Sequence, residues 1–223
     1  MGSIKLDGST LSSTEIQLVS NGEKVEPATD AMLKVEASRR VVERILSGGE
    51  TVYGINTGFG ALVSESISTK DLAELQVNLI RSHACAIGKP MSIQDTRAMM
   101  CVRANSLLKG NSGIQKSVIE QIILYLNEDI IPVVPRIGSL GASGDLAPLS
   151  HMALSLIGEG EVWGENGPVK TSEMLKKKGI IGVELGAKDG LSLINGTSQM
   201  CAFLVKSKNL LEDLLPIADL IAC

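Results

Sequence analysis

Apolar residues recur at helical spacing along most of the chain. Met32, Val35, Val42 and Leu46 form one stripe over residues 31–46, with Asp30 placed to cap the start and Gly48-Gly49 to stop the end. Leu72, Leu75, Leu79 and Ile80 predict a second helix from Asp71 to Arg81. A third runs from Ser92 to Lys109 and closes on Gly110, and a fourth from Gln115 to Glu128 ends ahead of Pro132 and Pro135. Each is expected to bury one face and wet the other, which implies a packed helical domain. Strand signals are short: Ile4-Lys5-Leu6, Thr51-Val52-Tyr53, and Glu161-Val162-Trp163 with Val169-Lys170 around an Asn166-Gly167 turn. The class is mainly α with minor β.

From Gly196 the pattern is helical again, through Pro216 to Ile217-Ala218-Asp219-Leu220-Ile221-Ala222-Cys223. Such a helix carries an apolar stripe that needs a cover. Two expectations stay open: a docked C-terminal helix, or a chain cut short or completed by another polypeptide.

Composition narrows the function classes. The 223 residues carry a formal net charge of −4, so no basic footprint suits a nucleic acid. Lys176-Lys177-Lys178 before Gly179 reads as the solvated end of a short helix. Aromatic stacking platforms are also scarce, the aromatics being Tyr53, Phe59, Tyr125, Trp163 and Phe203. Cys85, Cys101, Cys201 and Cys223 form no C-x-x-C pair and, with His83 and His151, no zinc spacing, so no metal is expected. Scattered thiols suit a reducing cytoplasm, where free Cys usually acts as a small buried hydrophobe. No leader pattern and no bilayer-length apolar run is present, so no membrane partner is expected, and the Asn195-Gly196-Thr197 sequon carries no weight.

The most unusual stretch is Gly138-Ser139-Leu140-Gly141-Ala142-Ser143-Gly144-Asp145-Leu146-Ala147-Pro148, after which a helix runs to Ile157 before Gly158. A phosphate loop would place Gly-Lys-Ser/Thr here, and there is no lysine. A nucleophile elbow would need Gly-x-Ser-x-Gly, which Ser143 lacks. A flexible loop is the plain alternative. A further option is backbone cyclisation: the Gly144 nitrogen attacks the Ala142 carbonyl, glycine permitting the close approach, and loss of water leaves an electrophilic methylene on Ser143.

Composition does not lead to that reaction; a resemblance does. Residues 138–151, Gly-Ser-Leu-Gly-Ala-Ser-Gly-Asp-Leu-Ala-Pro-Leu-Ser-His, resemble the signature of the aromatic amino acid lyase family, whose electrophile is a methylidene-imidazolone (MIO). Three more segments match in order: Tyr53-Gly54-Ile55-Asn56-Thr57-Gly58-Phe59-Gly60, Ser82-His83-Ala84 and Asn195-Gly196-Thr197. The resemblance implies the helical fumarase/aspartase-like lyase fold, with residues 1–195 as the MIO-bearing domain and 196–223 as the truncated start of a central helical bundle.

It also implies roles. Ala142, Ser143 and Gly144 are the ring precursors, so no external cofactor is needed, and Asp145 assists cyclisation or caps the helix it precedes. Tyr53 is the catalytic base or proton relay, against a core-tyrosine alternative. Asn195 hydrogen-bonds the ring and the reacting groups, against a helix-cap alternative. His83 faces the substrate side chain, and Ser82-His83 looks like the histidine-specific members, whose reaction eliminates ammonia to give urocanate. His151 is read as structural. Family members form homotetramers, with a second tyrosine, an arginine and an acidic residue supplied beyond the segment matched here. The isolated chain is therefore expected not to turn over histidine without a complementary C-terminal part. A lyase for another aromatic amino acid, an aminomutase, and a non-catalytic relative that keeps the fold remain as alternatives.

Overall fold

The computed structural model describes residues 2–49, 51–52, 54–57, 71–141 and 144–223. Among them the order is β1 (Ile4–Leu6), α1 (Ser13–Ser20), β2 (Val25–Pro27), α2 (Thr29–Gly48), α3 (Leu72–His83), β3 (Ile87–Pro90), α4 (Ile93–Leu108) and α5 (Lys116–Asn127). There follow β4 (Pro135–Ile137), α6 (Leu146–Leu156), β5 (Glu161–Gly164), β6 (Gly167–Lys170), α7 (Thr171–Lys178), α8 (Asp189–Ile194) and α9 (Ser198–Ala222).

Helices α2 to α6 and α9 stand where hydrophobic spacing predicts them and α7 ends at the lysine run before Gly179, whereas α1 and α8 are not among the expected helices; helix ends follow local chemistry. Ser92 accepts the Asp95 amide at 3.1 Å and starts α4. Gly49 and Gly179 end α2 and α7 in the left-handed region, at φ 73° and 67°. Helix α1 opens with a reciprocal capping box between Ser12 and Glu15. Helix α2 begins one residue before Asp30, with Ala28 as its cap, because the Ala28 amide is committed to the Leu6 carbonyl at the end of the β1–β2 pair. Asp30 lies instead in the first turn, where its charge meets the positive end of the helix.

Two strand expectations change. Thr51 and Val52 are not in a strand, and Tyr53 lies outside the described residues. The Val52 amide takes the Asn56 side-chain oxygen at 2.8 Å, and its carbonyl accepts from Ile55 and Asn56. A tight turn thus consumes the groups a ladder would use. The β5–β6 hairpin is present, but Glu165 and Asn166 form its turn and Gly167 pairs with Gly164. The other two-stranded sheets are β1–β2, parallel, and β3–β4, antiparallel.

Helix α4 departs most from expectation. Between its exposed first residues and Ser106 it is buried on nearly every side rather than on one face, with Arg97 and Arg103 inside along with Met99, Met100, Cys101 and Ala104, and Leu107 and Leu108 beyond. It packs against α1, α5 and α9. A fully buried aliphatic side chain contributes about 1.5–3 kcal/mol, so α4 and α5, with Ile119, Ile122 and Leu126, form the hydrophobic centre. Buried arginine is tolerable only when its donors are met. Arg97 donates to the carbonyls of Val19 (2.8 Å), Leu126 (3.1 Å) and Glu23 (3.3 Å), and to Asp129 at 2.6 Å. It closes the ends of three segments at once. The Tyr125 hydroxyl donates to the Ser155 carbonyl at 2.6 Å, tying α5 to α6, and burial pushes its phenol well above the ordinary value. Of the thiols, Cys101 is buried and pushed up to about 12 by desolvation, whereas Cys85 and Cys223 are exposed rather than core.

Candidate active site

Helix α8 is six residues long, and the segments singled out by sequence meet around it. Its first residue, Asp189, is completely buried. The carboxylate accepts the amides of Gln115 (2.9 Å) and Gly186 (2.7 Å), the Gln115 side-chain amide, and Arg39 at 3.3 Å. Burial raises its pKa while those hydrogen bonds and Arg39 pull it down. So anchored, α8 offers three contact points. Gly54, beside Tyr53, has φ 75° and lies so close to Leu191 that a Cβ would stand 2.8 Å from its Cδ2. Gln76 of α3 accepts the Leu191 amide at 3.3 Å, and its backbone carbonyl leaves no room for a Cβ on Gly190. Past the C-terminal end, Asn195 is the cap and Gly196 packs on Gly144.

The glycine-rich segment is held from both sides. Before it, β4 pairs with β3, which directly follows the Ser82-His83 end of α3, and Gly138 packs against Ala86 and Ala147 with room for no side chain. After it, Gly144 adopts φ 117° with its α-carbon against the Gly196 peptide: a Cβ there would stand 2.8 Å from the Gly196 carbonyl carbon. The Asp145 amide donates to the Gly196 carbonyl at 2.7 Å. Glycine is required on steric grounds at 144, not merely permitted.

Asp145 is completely buried, yet its side chain does not cap α6, the helix it precedes. It turns to α9 instead. One carboxylate oxygen accepts the amides of Gln199 (2.7 Å) and Met200 (3.1 Å), and the other accepts the Ser139 hydroxyl at 2.6 Å. The expected local cap is therefore a tertiary one, made where α9 presents unpaired amides and the positive end of its dipole. Behind the same turn lies Arg103, 3% exposed. Its Nη2 donates to the carbonyls of Ser192 and, at 3.1 Å, Asn195. Burial lowers its pKa to about 10, opposed by the Asp145 carboxylate, so it remains a cation at neutral pH.

Asn195 itself is exposed and lines a cleft with Arg103, Lys188 and Ser112. His83 ends α3, half-buried. Its Nδ1 lies 2.9 Å from the Leu79 carbonyl and 3.0 Å from the Ser82 hydroxyl. A carbonyl partner makes Nδ1 the protonated nitrogen of the neutral ring and leaves Nε2 as an acceptor. His151, inside α6, has its Nε2 buried without a hydrogen-bond partner among the described residues, and burial lowers its pKa. Tyr53, Ala142 and Ser143 lie outside the described residues. Among the described residues no group of three or more His, Cys, Asp or Glu side chains could hold a metal. No described helix is long and apolar enough to cross a membrane.

Sequence reasoning passed over Arg103, Gln76, Asp189 and Gln199. Gln76, Arg103 and Gln199 sit in helices at positions where a polar residue reads as a solvated face. The usable signal lay in the glycines, since Gly190 and Gly196 within a folded stretch mark close backbone approach.

The aromatic amino acid lyase family matches residues 11–223, and the chain belongs to that family. It is 46% identical over 217 residues to the histidine ammonia-lyase of Myxococcus xanthus, covering 97% of this chain and 43% of that protein. It is 50% identical over 202 residues to the histidine ammonia-lyase of Bacillus subtilis, covering 89% and 39%. The crystal structure of tyrosine aminomutase from Streptomyces globisporus superposes with a TM-score of 0.85 at 39% identity, over 90% of this chain and 38% of that one. The chain thus spans about two fifths of the length of the proteins it matches. The mainly helical fold is that of these lyases and aminomutases.

Proposed function

We propose that the protein to which this chain belongs eliminates ammonia non-oxidatively from L-histidine to give trans-urocanate, and that Ala142-Ser143-Gly144 forms its methylidene-imidazolone. The observation that carries the reading is the convergence on α8. Gly54 beside Tyr53, the His83-bearing α3, Gly144 and Asn195 all meet that one helix or its C-terminal turn. The residues present fit such a group, because Gly144 lies face-on to Gly196 where a side chain could not follow, leaving backbone alone at the point of ring closure. The group supplies an electrophile that makes the substrate amine a better leaving group.

The chain's own residues do the rest. Asp145 fixes the strand leaving the ring precursor by holding the start of α9. Asn195 presents its amide at the end of α8 to the ring and the reacting groups. His83, oriented through Leu79, offers Nε2 to the imidazole of a histidine substrate, a donor–acceptor match that an apolar side chain would not make. Tyr53 takes or relays the proton. Residues 1–195 serve as the ring-bearing domain, and 196–223 begin a helical bundle. Consistent with this, Ser198, Gln199 and Ala202 at the start of α9 are buried while Leu204, Leu211 and Leu215, at helical spacing on one face, stand exposed. That apolar stripe supports assembly into a homotetramer, and four thiols unpaired with one another support a cytoplasmic setting.

Intact-mass measurement tests the ring. Closure and dehydration release two waters, a shortfall of about 36 Da that Ser143→Ala abolishes. An unchanged deficit in that variant would eliminate Ser143 as precursor. A panel of L-histidine, L-phenylalanine and L-tyrosine given to the whole enzyme tests the substrate. The second reading, an aminomutase or a lyase for another aromatic amino acid, rests on the likeness to tyrosine aminomutase and wins if histidine is not the preferred substrate.

A further inference from the structure

We infer that Arg103 is a positioning residue for the ring precursor: its guanidinium holds the Asn195-Gly196 turn in the one place from which that turn backs Gly144. The ring itself rests on the reading proposed above; the hold on the turn does not.

Helix α8 leaves its last carbonyls without intrahelical partners. Arg103 takes two of them, Ser192 and Asn195, through one nitrogen. Its central carbon lies 3.1 Å from where a Cβ on Gly196 would stand, so the guanidinium presses on the Gly196 α-carbon. The same residue also faces Gly144, with the Gly196 nitrogen and carbonyl carbon 2.9 and 2.8 Å from a Cβ placed there. Arg103 and Gly144 therefore both press on the Gly196 backbone. The Asp145 amide, bonded to the Gly196 carbonyl at 2.7 Å, locks the layer in register. Helix α4 is the element behind this stack, buried from Thr96 to Cys101 and at Arg103, Ala104, Leu107 and Leu108. The arginine is thus a strut from the centre of the protein to the back of the ring precursor.

The strut matters because closure is an intramolecular reaction with a geometric threshold. A bond forms between the Gly144 nitrogen and the Ala142 carbonyl carbon. The Ala142 oxygen leaves as water with the amide hydrogens of Gly144 and Ser143, and the Ser143 hydroxyl leaves as a second water with its Cα hydrogen. No oxidant is required. Glycine samples more backbone conformations than any other residue, so without a wall behind it Gly144 spends most of its time away from the reactive one. A lysine would keep the charge and could reach carbonyls, but it has no guanidinium plane to fill the space against the Gly196 α-carbon while its donor bonds both Ser192 and Asn195.

The test is Arg103→Lys in the full chain, read in two ways. Hydrogen exchange should quicken at least tenfold at the Asp145 amide while the α5 amides of Ile122 and Ile123 keep wild-type protection, a local pattern that a general loss of stability would not produce. The mass shortfall of about 36 Da should accumulate at least tenfold more slowly than in wild type. Wild-type exchange at Asp145 overturns the strut, and so does a full deficit formed at the wild-type rate. If the wild-type chain shows no deficit, the ring reading fails, and exchange at Asp145 still decides the strut. Should Arg103→Lys not fold, Gly196→Ala retains the arginine but pushes its guanidinium off the turn, and it carries the same two readings.

Discussion

Asp145 closes the N-terminus of a helix that begins more than fifty residues after it, its carboxylate accepting the amide of Gln199, 54 positions along, at 2.7 Å. With Met200 and Ser139 also bound to it, the carboxylate has no exposure to water and its acceptors are in use. Asp145→Ala strands two helix amides and a hydroxyl in a dry site, at about 1–3 kcal/mol for each unmet group, with some recovery by relaxation. We expect a loss of at least about 2 kcal/mol in urea unfolding. Asp145→Asn keeps an acceptor for the amides but loses the charge facing the helix end and Arg103 and the oxygen that accepts from Ser139, so it should cost clearly less than Asp145→Ala. Equal costs for the two variants would mean that the acceptor geometry is not what matters.

Gly144 and Gly22 offer a matched pair. Both have strongly positive φ, 117° and 113°, but nothing lies within 4 Å of a Cβ on Gly22, whereas Gly144 faces the Gly196 backbone. Alanine at either position meets the same backbone strain. The excess cost of Gly144→Ala over Gly22→Ala therefore isolates the close approach, expected at about 1–3 kcal/mol as for other overpacked sites. Comparable unfolding midpoints for the two variants would show that the Gly144–Gly196 contact yields easily.

Arg97 and Asp129 form an ion pair whose partners are very unequal. Arg97 is almost completely buried and also serves three carbonyls, whereas the Asp129 side chain is 80% exposed. Removing the exposed partner should matter little, about 1 kcal/mol or less for Asp129→Asn, and asparagine tolerates the φ of 52° found there. Arg97→Met should cost roughly 3 kcal/mol or more, because it leaves the ends of three segments without their donor. Denaturant titration of both variants compares them directly, and a larger loss for Asp129→Asn would reverse the assignment.

These relationships mark where the sequence could be read and where it could not. Hydrophobic spacing placed α2 to α6 because each burial face repeats within its own helix. The glycine-rich loop stood out because small residues cluster in a turn, but its chemistry and the place of Asn195-Gly196 in it were legible only through the family resemblance. What could not be read was partnership between distant segments. Asp145 looks like the cap of its own helix, and only its packing against α9 shows which amides it serves. Arg103 follows Val102 in a run that reads as amphipathic, and nothing in its neighbours says that it faces the end of α8. Capping box Ser12–Glu15, by contrast, was there to be read, since both halves lie within four residues. Local chemistry is written locally; tertiary hydrogen bonds between buried polar groups are not.

His151 supplies a pH dependence that follows from burial alone. Its buried Nε2 has no hydrogen-bond partner among the described residues, and desolvation favours the neutral ring, so the folded-state pKa lies below the ordinary 6.5. As pH falls, the unfolded chain takes up this proton before the folded one does. The stabilisation is fully present above about pH 6.5 and declines as pH drops toward the depressed folded value. His151→Leu removes the titrating group while keeping an apolar body of similar size. Between about pH 7 and pH 5 the unfolding free energy of the wild type should therefore fall more steeply than that of the variant, the two slopes differing by at most about 1.4 kcal/mol per pH unit, the limit for one proton. Parallel curves for the two proteins would place the imidazole in water, with no burial cost to release.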